Sequence, residues 1–323
     1  MWDFEIGRTV GIVVRTWPFV LLRIVVYVLI TLAYILATGT GAGVGYGVGN
    51  IFPDGSAVAT AFWGGIVGFG LVSVVLYWVR EYILYIVKAG HIAVMVHLIE
   101  GRDVPGGQGQ IAYGRRIVTE RFAEASVLFA VDQLIKGVLR AITGLLSGIA
   151  AFIPGMSGIV GFINGVIRMS VTYVDEIILG YNIRTGSTAP FETARHGIVL
   201  YAQNARVMVK NAVWLTIFIW LVGAVLFLLV LAPAGAIVYG FPGASAGWTF
   251  VFAVLLAWAC VSAFVEPFAI AALMEVYFRT IEGQVPDPEW DERLAEASKK
   301  FRQLKDRAAE QIRETFPRPV RNA

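Results

Sequence analysis

The sequence predicts an all-α polytopic membrane protein, with two parallel repeats of a transmembrane helix pair around a central helical hairpin and amphipathic interfacial helices. Three observations predict it. Of 323 residues, 57% are hydrophobic and only 15% charged, and the mean hydropathy is +0.70, a balance that belongs to integral membrane proteins and not to soluble domains. Four runs are apolar enough to span as helix, which takes about 20 residues. Four short sequence blocks recur in the same order in the two halves.

Residues 3–16 interleave Arg8 and Arg15 with Phe4, Ile6, Val10, Ile12, Val13 and Val14, the pattern of a helix lying on the membrane surface. The first span, 17–38, is too long for a signal-peptide core and has no small-x-small cleavage site after it, so it is read as retained. Arg23 lies near its entrance, where a long stem can snorkel to the interface as an anchor.

Glycine then occupies every odd position from 39 to 49. The spacing never forms a GxGxxG, so no dinucleotide fingerprint is present. Val44-Gly45-Tyr46-Gly47 resembles part of a potassium-channel filter and stands between two spans. Gly43, however, replaces that family's threonine, and residues 17–42 leave no room for both a span and a pore helix. Interlaced small-xxx-small faces at the outer end of a helix account for the same glycines. A Pro/Gly turn at 52–57 leads into the second span, 58–79, which exits through interface aromatics and Arg80-Glu81.

Helical periodicity continues to Glu100, interrupted by Lys88, His91 and His97. The two histidines, six residues apart, fall on different helix faces and do not suggest a metal site. In 120–140, Asp132, Lys136 and Arg140 recur at every fourth position of an otherwise apolar helix, either as its solvated face or as a stripe facing a bundle interior. Residues 141–168 carry no charge before Arg168 and break once, at Pro154-Gly155. Each arm is short of a bilayer, so this is a hairpin that either re-enters or is lengthened by its polar flanks.

After Asp175-Glu176 and a polar break at 185–190 comes another amphipathic helix, 191–211, and then the third span, 212–231. A Gly/Pro/Ala-rich turn precedes the fourth, 248–278, about 46 Å long as helix and kinked by Pro267 beside Glu266. From Pro286 the tail is charged, with Leu294, Ala297, Phe301, Leu304, Ala308 and Ile312 in an amphipathic or coiled-coil spacing. The organisation is therefore 1–130, a first transmembrane repeat with its amphipathic segment; 131–190, the hairpin; 191–286, the second repeat; and 287–323, the tail helix.

The repeat rests on GIVV (11–14) and GIVL (197–200), FPDGSA (52–57) and FPGASA (241–246), IEGRDVP (99–105) and IEGQVP (281–286), and ERFAEASVLF (120–129) and ERLAEASKKF (292–301). Both copies run the same way, which implies a pseudo-two-fold axis along the membrane normal. All 26 Lys and Arg avoid the turns at 39–57, 153–157 and 232–248. By the positive-inside rule both termini are cytoplasmic, in the inner membrane of a cell, and those turns face outward.

Signatures of soluble enzymes are absent: no Walker A run, GxSxG, HExxH or cysteine cluster, and the lone Cys260 excludes an internal disulfide framework. No catalytic residue, metal site or cofactor is expected, and nucleic acid is not among the expected partners. Glu266, a carboxylate inside an apolar span next to Pro267, is costly unless paired, hydrated or protonated. It is the sharpest candidate for solute attraction or proton coupling; the alternative sets it at the cytoplasmic interface. Asp132, Lys136 and Arg140 are further transport candidates, with Trp63, Trp220 and Trp258 as aromatic faces able to hold a quaternary ammonium.

Three blocks resemble the choline transporter-like family in that family's order: ASVLFAVDQLIKGVL (125–139), TARHGIVLYAQNARVMVKNAV (193–213) with Asn204 and Arg206, and LMEVYFRTIEG (273–283). They cover about half the chain. The family's acidic closing pair is thinned to Glu275 and Glu282, the chain is about half the family's length, and no large external loop exists. The resemblance implies passive or coupled transport of a small cationic solute such as choline. The expected partners are membrane lipids, the solute, and a second copy of the chain through the C-terminal helix. The alternatives are an oligomeric channel built on Gly45, Tyr46 and Gly47, and a non-transporting scaffold or lipid-interacting protein.

Overall fold

The computed structural model describes residues 2–52, 56–107, 109–122, 125–151, 173–240 and 245–315. All regular structure among them is helical: α1 Ile6–Arg15, α2 Trp17–Gly49, α3 Ala57–Ile99, α4 Gly109–Phe122, α5 Ala125–Ala151, α6 Val174–Thr185, α7 Pro190–Gln203, α8 Ala205–Val238, α9 Ala246–Cys260, a π-helical turn Val261–Val265, α10 Glu266–Thr280, α11 Pro288–Ala297 and α12 Lys299–Thr315. Four stretches are long and apolar enough to cross a membrane: Trp17–Gly49, Ala57–Tyr77, Ala205–Val238 and Ala246–Thr280. Among the described residues the architecture is all-helical, and its four long apolar helices suggest a membrane protein. The Pro-Gly break and second arm of the central hairpin lie outside the described residues, as do the middles of the two expected outer turns, 53–55 and 241–244.

Two compact units divide the chain. One comprises Trp17–Lys88 and Phe218–Pro267; the other comprises Met1–Thr16, Ala89–Ile217 and Phe268–Ala323. We call them the spanning unit and the amphipathic unit.

Two boundaries in the spanning unit differ from the sequence expectation. The first span was expected to end at 38 and the outer turn to start at 39; residues 39–49 instead complete α2, in keeping with the small-residue faces expected at a helix end. Glycine costs about 1 kcal/mol per site in a helix, and close packing offsets that cost. A Cβ on Gly41 would fall 2.1 Å from the carbonyl oxygen of Gly64, one on Gly45 2.1 Å from that of Thr60, and one on Gly49 2.0 Å from the Thr60 hydroxyl. The helix pair α2/α3 thus meets backbone to backbone, which only residues without a Cβ permit. Gly43 and Gly47, on the interlaced face, have nothing within 4 Å.

The second difference is in α8, which continues past the expected turn with Pro233 inside it, to Val238. Ala234 and Val238 are buried against Phe252 and Ala253 of α9, so side-chain burial outweighs the donor that Pro233 removes.

In the amphipathic unit, the end of α3 is a core helix, with Ile92 to Val96 fully buried. Gly180 of α6 lets that helix approach α10, since a Cβ there would meet Met274 Sδ at 2.7 Å. The tail differs from a free assembly helix: Phe301, Leu304 and Ala308 are buried, and α12 packs on α7 and α5. Leu294, Phe301, Leu304 and Ala308 of the stripe expected to recruit a second copy are thus covered within the chain, while Ala297 and Ile312 are exposed. Gly101, which ends α3, adopts φ 72°. The N–H of Arg102 reaches the carbonyl of His97 at 2.8 Å and that of Gly101 reaches Leu98 at 3.1 Å, a closure that satisfies the last carbonyls and favours glycine there.

Candidate functional site

Pro267 has no N–H, so the turn before it cannot close as a regular α-helix. The chain widens instead. The N–H of Glu266 bonds back to the carbonyl of Val261, five residues earlier, which leaves the Ser262 carbonyl without its usual donor. The next candidate donor along the helix is Pro267 itself, which has none to offer. Arg23 of α2 supplies the bond: its Nη1 donates to Ser262 O at 3.4 Å and pairs with Glu266 Oε2 at 3.4 Å. Lys88 of α3 pairs with the other carboxylate oxygen, Oε1. A π-turn at a functional position is a recurrent association, and here it sets the register of a buried charge cluster.

All three charged residues and Ser262 belong to the spanning unit. Arg23 is 1% exposed, against side-chain exposures of 12% for Glu266 and 21% for Lys88. The expected snorkelling arginine is instead turned inward onto a carboxylate, because only a partner offsets the cost of a buried guanidinium. Counted along each helix, the cluster lies about 39 Å from Gly49, 46 Å from Ala57 and 30 Å from Ala246. A hydrocarbon core of about 30 Å therefore brings the cluster to its edge, at the end remote from the α2/α3 turn.

The other expected site residues do not converge on Glu266. Trp258 packs edge-on against Tyr27, with centroids 5.1 Å apart. Trp63 is 64% exposed beside Phe62, and Trp220 is also exposed, so these two indoles form no cage with the carboxylate. Gly45, Tyr46 and Gly47 lie within α2. The carbonyl of Tyr46 already accepts from the backbone N–H of Asn50 at 3.1 Å and from its side-chain amide at 3.0 Å, so it does not present the free oxygen of a selectivity filter.

Asp132, Lys136 and Arg140 fall in the amphipathic unit. Asp132 is buried and bridges Lys136 at 2.8 Å, Lys136 also reaches Asp175 at 3.7 Å, and Arg140 is exposed. The stripe is thus neither wholly solvated nor wholly internal. Burial, reinforced by the adjacent Glu176, pushes the Asp175 carboxyl well above its ordinary range. Burial alone would lower Lys136; Asp132 and Asp175 reverse that and raise it.

Sequence reasoning did not single out Lys88, Asp175 or Glu275 as parts of charge clusters. Glu275 is 3% exposed, pairs with Arg8 at 3.2 Å and Arg279 at 3.1 Å, and accepts from Thr9. A signal existed for each: an ionisable residue in an apolar helix demands a partner. A cleft of 340 Å³ in the amphipathic unit is lined by Arg195, His196, Asp291, Glu292 and Lys305 among others. Burial would raise Asp291, but hydrogen bonds from Arg195 and Lys305, both 2.7 Å, hold it below the ordinary range. Among the described residues no group of His, Cys, Asp and Glu is placed to hold a metal ion.

Comparison with protein-family models, with curated proteins and with solved structures finds no match to this chain.

Proposed function

We propose that this chain is a permease-like membrane protein that moves a small charged solute, with the Arg23–Glu266–Lys88 cluster at the inner end of its path. One observation carries the reading: a spanning helical unit maintains a buried three-residue charge cluster, with a π-turn built to receive it. A purely structural bundle gains nothing from such a cluster that apolar side chains would not provide.

The proposed architecture is two parallel repeats with both termini cytoplasmic. In support, each half runs from a short helix into a span of about the same length (α1 into α2, α7 into α8), then through a second apolar helix to an IEG block whose glycine has φ 72°, and on to a short and a longer amphipathic helix. The resemblance to choline transporter-like proteins rests on its three sequence blocks alone. The cluster does not favour a choline-like cation, since both Glu266 oxygens already hold cationic partners. Proteoliposome uptake of a panel of small radiolabelled anions and cations, choline included, tests the reading. Saturable uptake that Glu266→Gln diminishes supports it, and absence of flux across the panel from folded, inserted protein overturns it.

A lipid-interacting scaffold is the second reading. It is favoured by α1, where Thr9 and Ile12 are buried while Ile6, Val10 and Val14, four apart, are exposed. Such a bare apolar stripe with Arg8 and Arg15 beside it suits a helix lying in a bilayer interface.

A further inference from the structure

The guanidinium of Arg23 is used on one side only. Its Nη1 serves Ser262 and Glu266, whereas Nε and Nη2 are fully buried and have no hydrogen-bond partner. These two atoms are adjacent. The N–H groups of Nε and Nη2 point the same way from one edge of the planar group, and that parallel pair is what a carboxylate or phosphate engages with two bonds at once. An arginine buried with this edge bare carries a large desolvation cost, which an anion on that edge would relieve.

We propose that the side-on edge of Arg23 is an oxyanion subsite, taking one carboxylate or phosphate group. The proposal rests on reading the cluster as functional and fixes the chemical class of its ligand. Ser262 and Glu266 orient the guanidinium from the Nη1 side, so the Nε/Nη2 edge is presented as a pre-organised fork. Lys88 occupies the second oxygen of Glu266, which prevents that carboxylate from swinging round to the bare edge and serving as its own ligand. The position of the cluster at the edge of the hydrocarbon core allows two sources of the same chemistry: the phosphate of an anionic lipid headgroup, and a free solute anion.

The test uses the full chain in two arms. In the first, the delipidated protein in neutral detergent is titrated with radiolabelled inorganic phosphate and with radiolabelled acetate. In the second, the protein is reconstituted in mixed phosphatidylcholine and phosphatidylglycerol vesicles, and the lipid it retains on extraction is identified by native mass spectrometry. Binding in the first arm assigns a free anion; retention of phosphatidylglycerol over phosphatidylcholine, with no binding in the first, assigns a headgroup. Arg23→Lys keeps the charge and removes the fork, and is expected to weaken whichever binding is seen by about tenfold or more. Glu266→Gln removes a negative charge that repels an incoming anion, while its amide oxygen can still accept from Nη1, and is expected to tighten it, an opposite change that loss of folding does not mimic. Wild-type affinity in Arg23→Lys overturns the proposal, as does absence of both phosphate or acetate binding and lipid preference. Binding without flux refutes the permease reading and leaves the subsite standing; flux without binding does the reverse.

Discussion

The carbonyl of Ser262 and the guanidinium of Arg23 meet at 3.4 Å across 239 positions of sequence. The contact depends on Pro267, which contributes no donor, and on the π-turn, which draws the Glu266 N–H back to Val261. A residue that breaks a helix thereby creates an acceptor for a charge on another.

Removing one member of the cluster differs from removing all of it. Glu266→Ala leaves Arg23 and Lys88 without their carboxylate and is expected to destabilise the protein by about 3–5 kcal/mol, read as a lowered midpoint in denaturant titrations in mild detergent. The triple replacement Arg23→Met, Lys88→Met, Glu266→Leu is expected to fold near or above wild-type stability and to lose flux. A triple variant that transports normally would reduce the cluster to a structural feature.

The glycines of α2 separate into two classes. Gly41→Val and Gly45→Val place a branched side chain where even a Cβ would lie 2.1 Å from a facing carbonyl oxygen, and each should push α2 and α3 apart with a marked drop in thermal stability. Gly43→Ala, on the open face, should be neutral or stabilising by up to about 1 kcal/mol. Equal effects at positions 41 and 43 would contradict the close approach.

Two buried carboxyls respond to pH in opposite senses. Asp175 is raised in the folded state, so between the ordinary carboxylate range and its elevated value the folded chain holds the extra proton. Stability therefore falls as pH rises through that window, and Asp175→Asn should abolish this slope and stabilise the protein at neutral pH. Asp291 is lowered, so its contribution is present above the unfolded value of 3.8 and is lost as pH falls through the depressed folded value. Melting temperatures of wild type, Asp175→Asn and Asp291→Asn across acid and neutral pH separate the two, and parallel curves for all three would refute both assignments.

The tail helix is docked by its apolar face. Phe301→Ala removes a fully buried ring and is expected to cost about 3–5 kcal/mol of local packing, releasing α12 to limited proteolysis while the spans stay protected. If wild-type α12 is cut as readily as the variant, the docking is wrong.

Much of the architecture was legible because apolarity is a local property. Four spans, the break at Pro267, the demand of Glu266 for a partner and the small-residue faces around Gly41 and Gly45 all follow from short windows of sequence. The boundaries failed where packing opposed propensity. The first span was expected to end at 38 and Pro233 to lie in a turn, yet α2 runs on to Gly49, where Gly41, Gly45 and Gly49 meet α3, and α8 runs on to Val238, where Ala234 and Val238 meet α9. Arg23 read as an anchor since nothing near it in sequence could neutralise it.

By itself, the sequence determined which segments leave water and where a buried carboxylate had to be answered by opposite charge, since transfer from water depends on composition over a turn or two of helix. Only the tertiary structure decided that Arg23 and Lys88 supply the answer, that one edge of Arg23 stays bare, and that the tail stripe closes on α5 and α7. Those outcomes depend on which helix faces meet, and contacts between residues hundreds of positions apart leave no periodic trace in either segment.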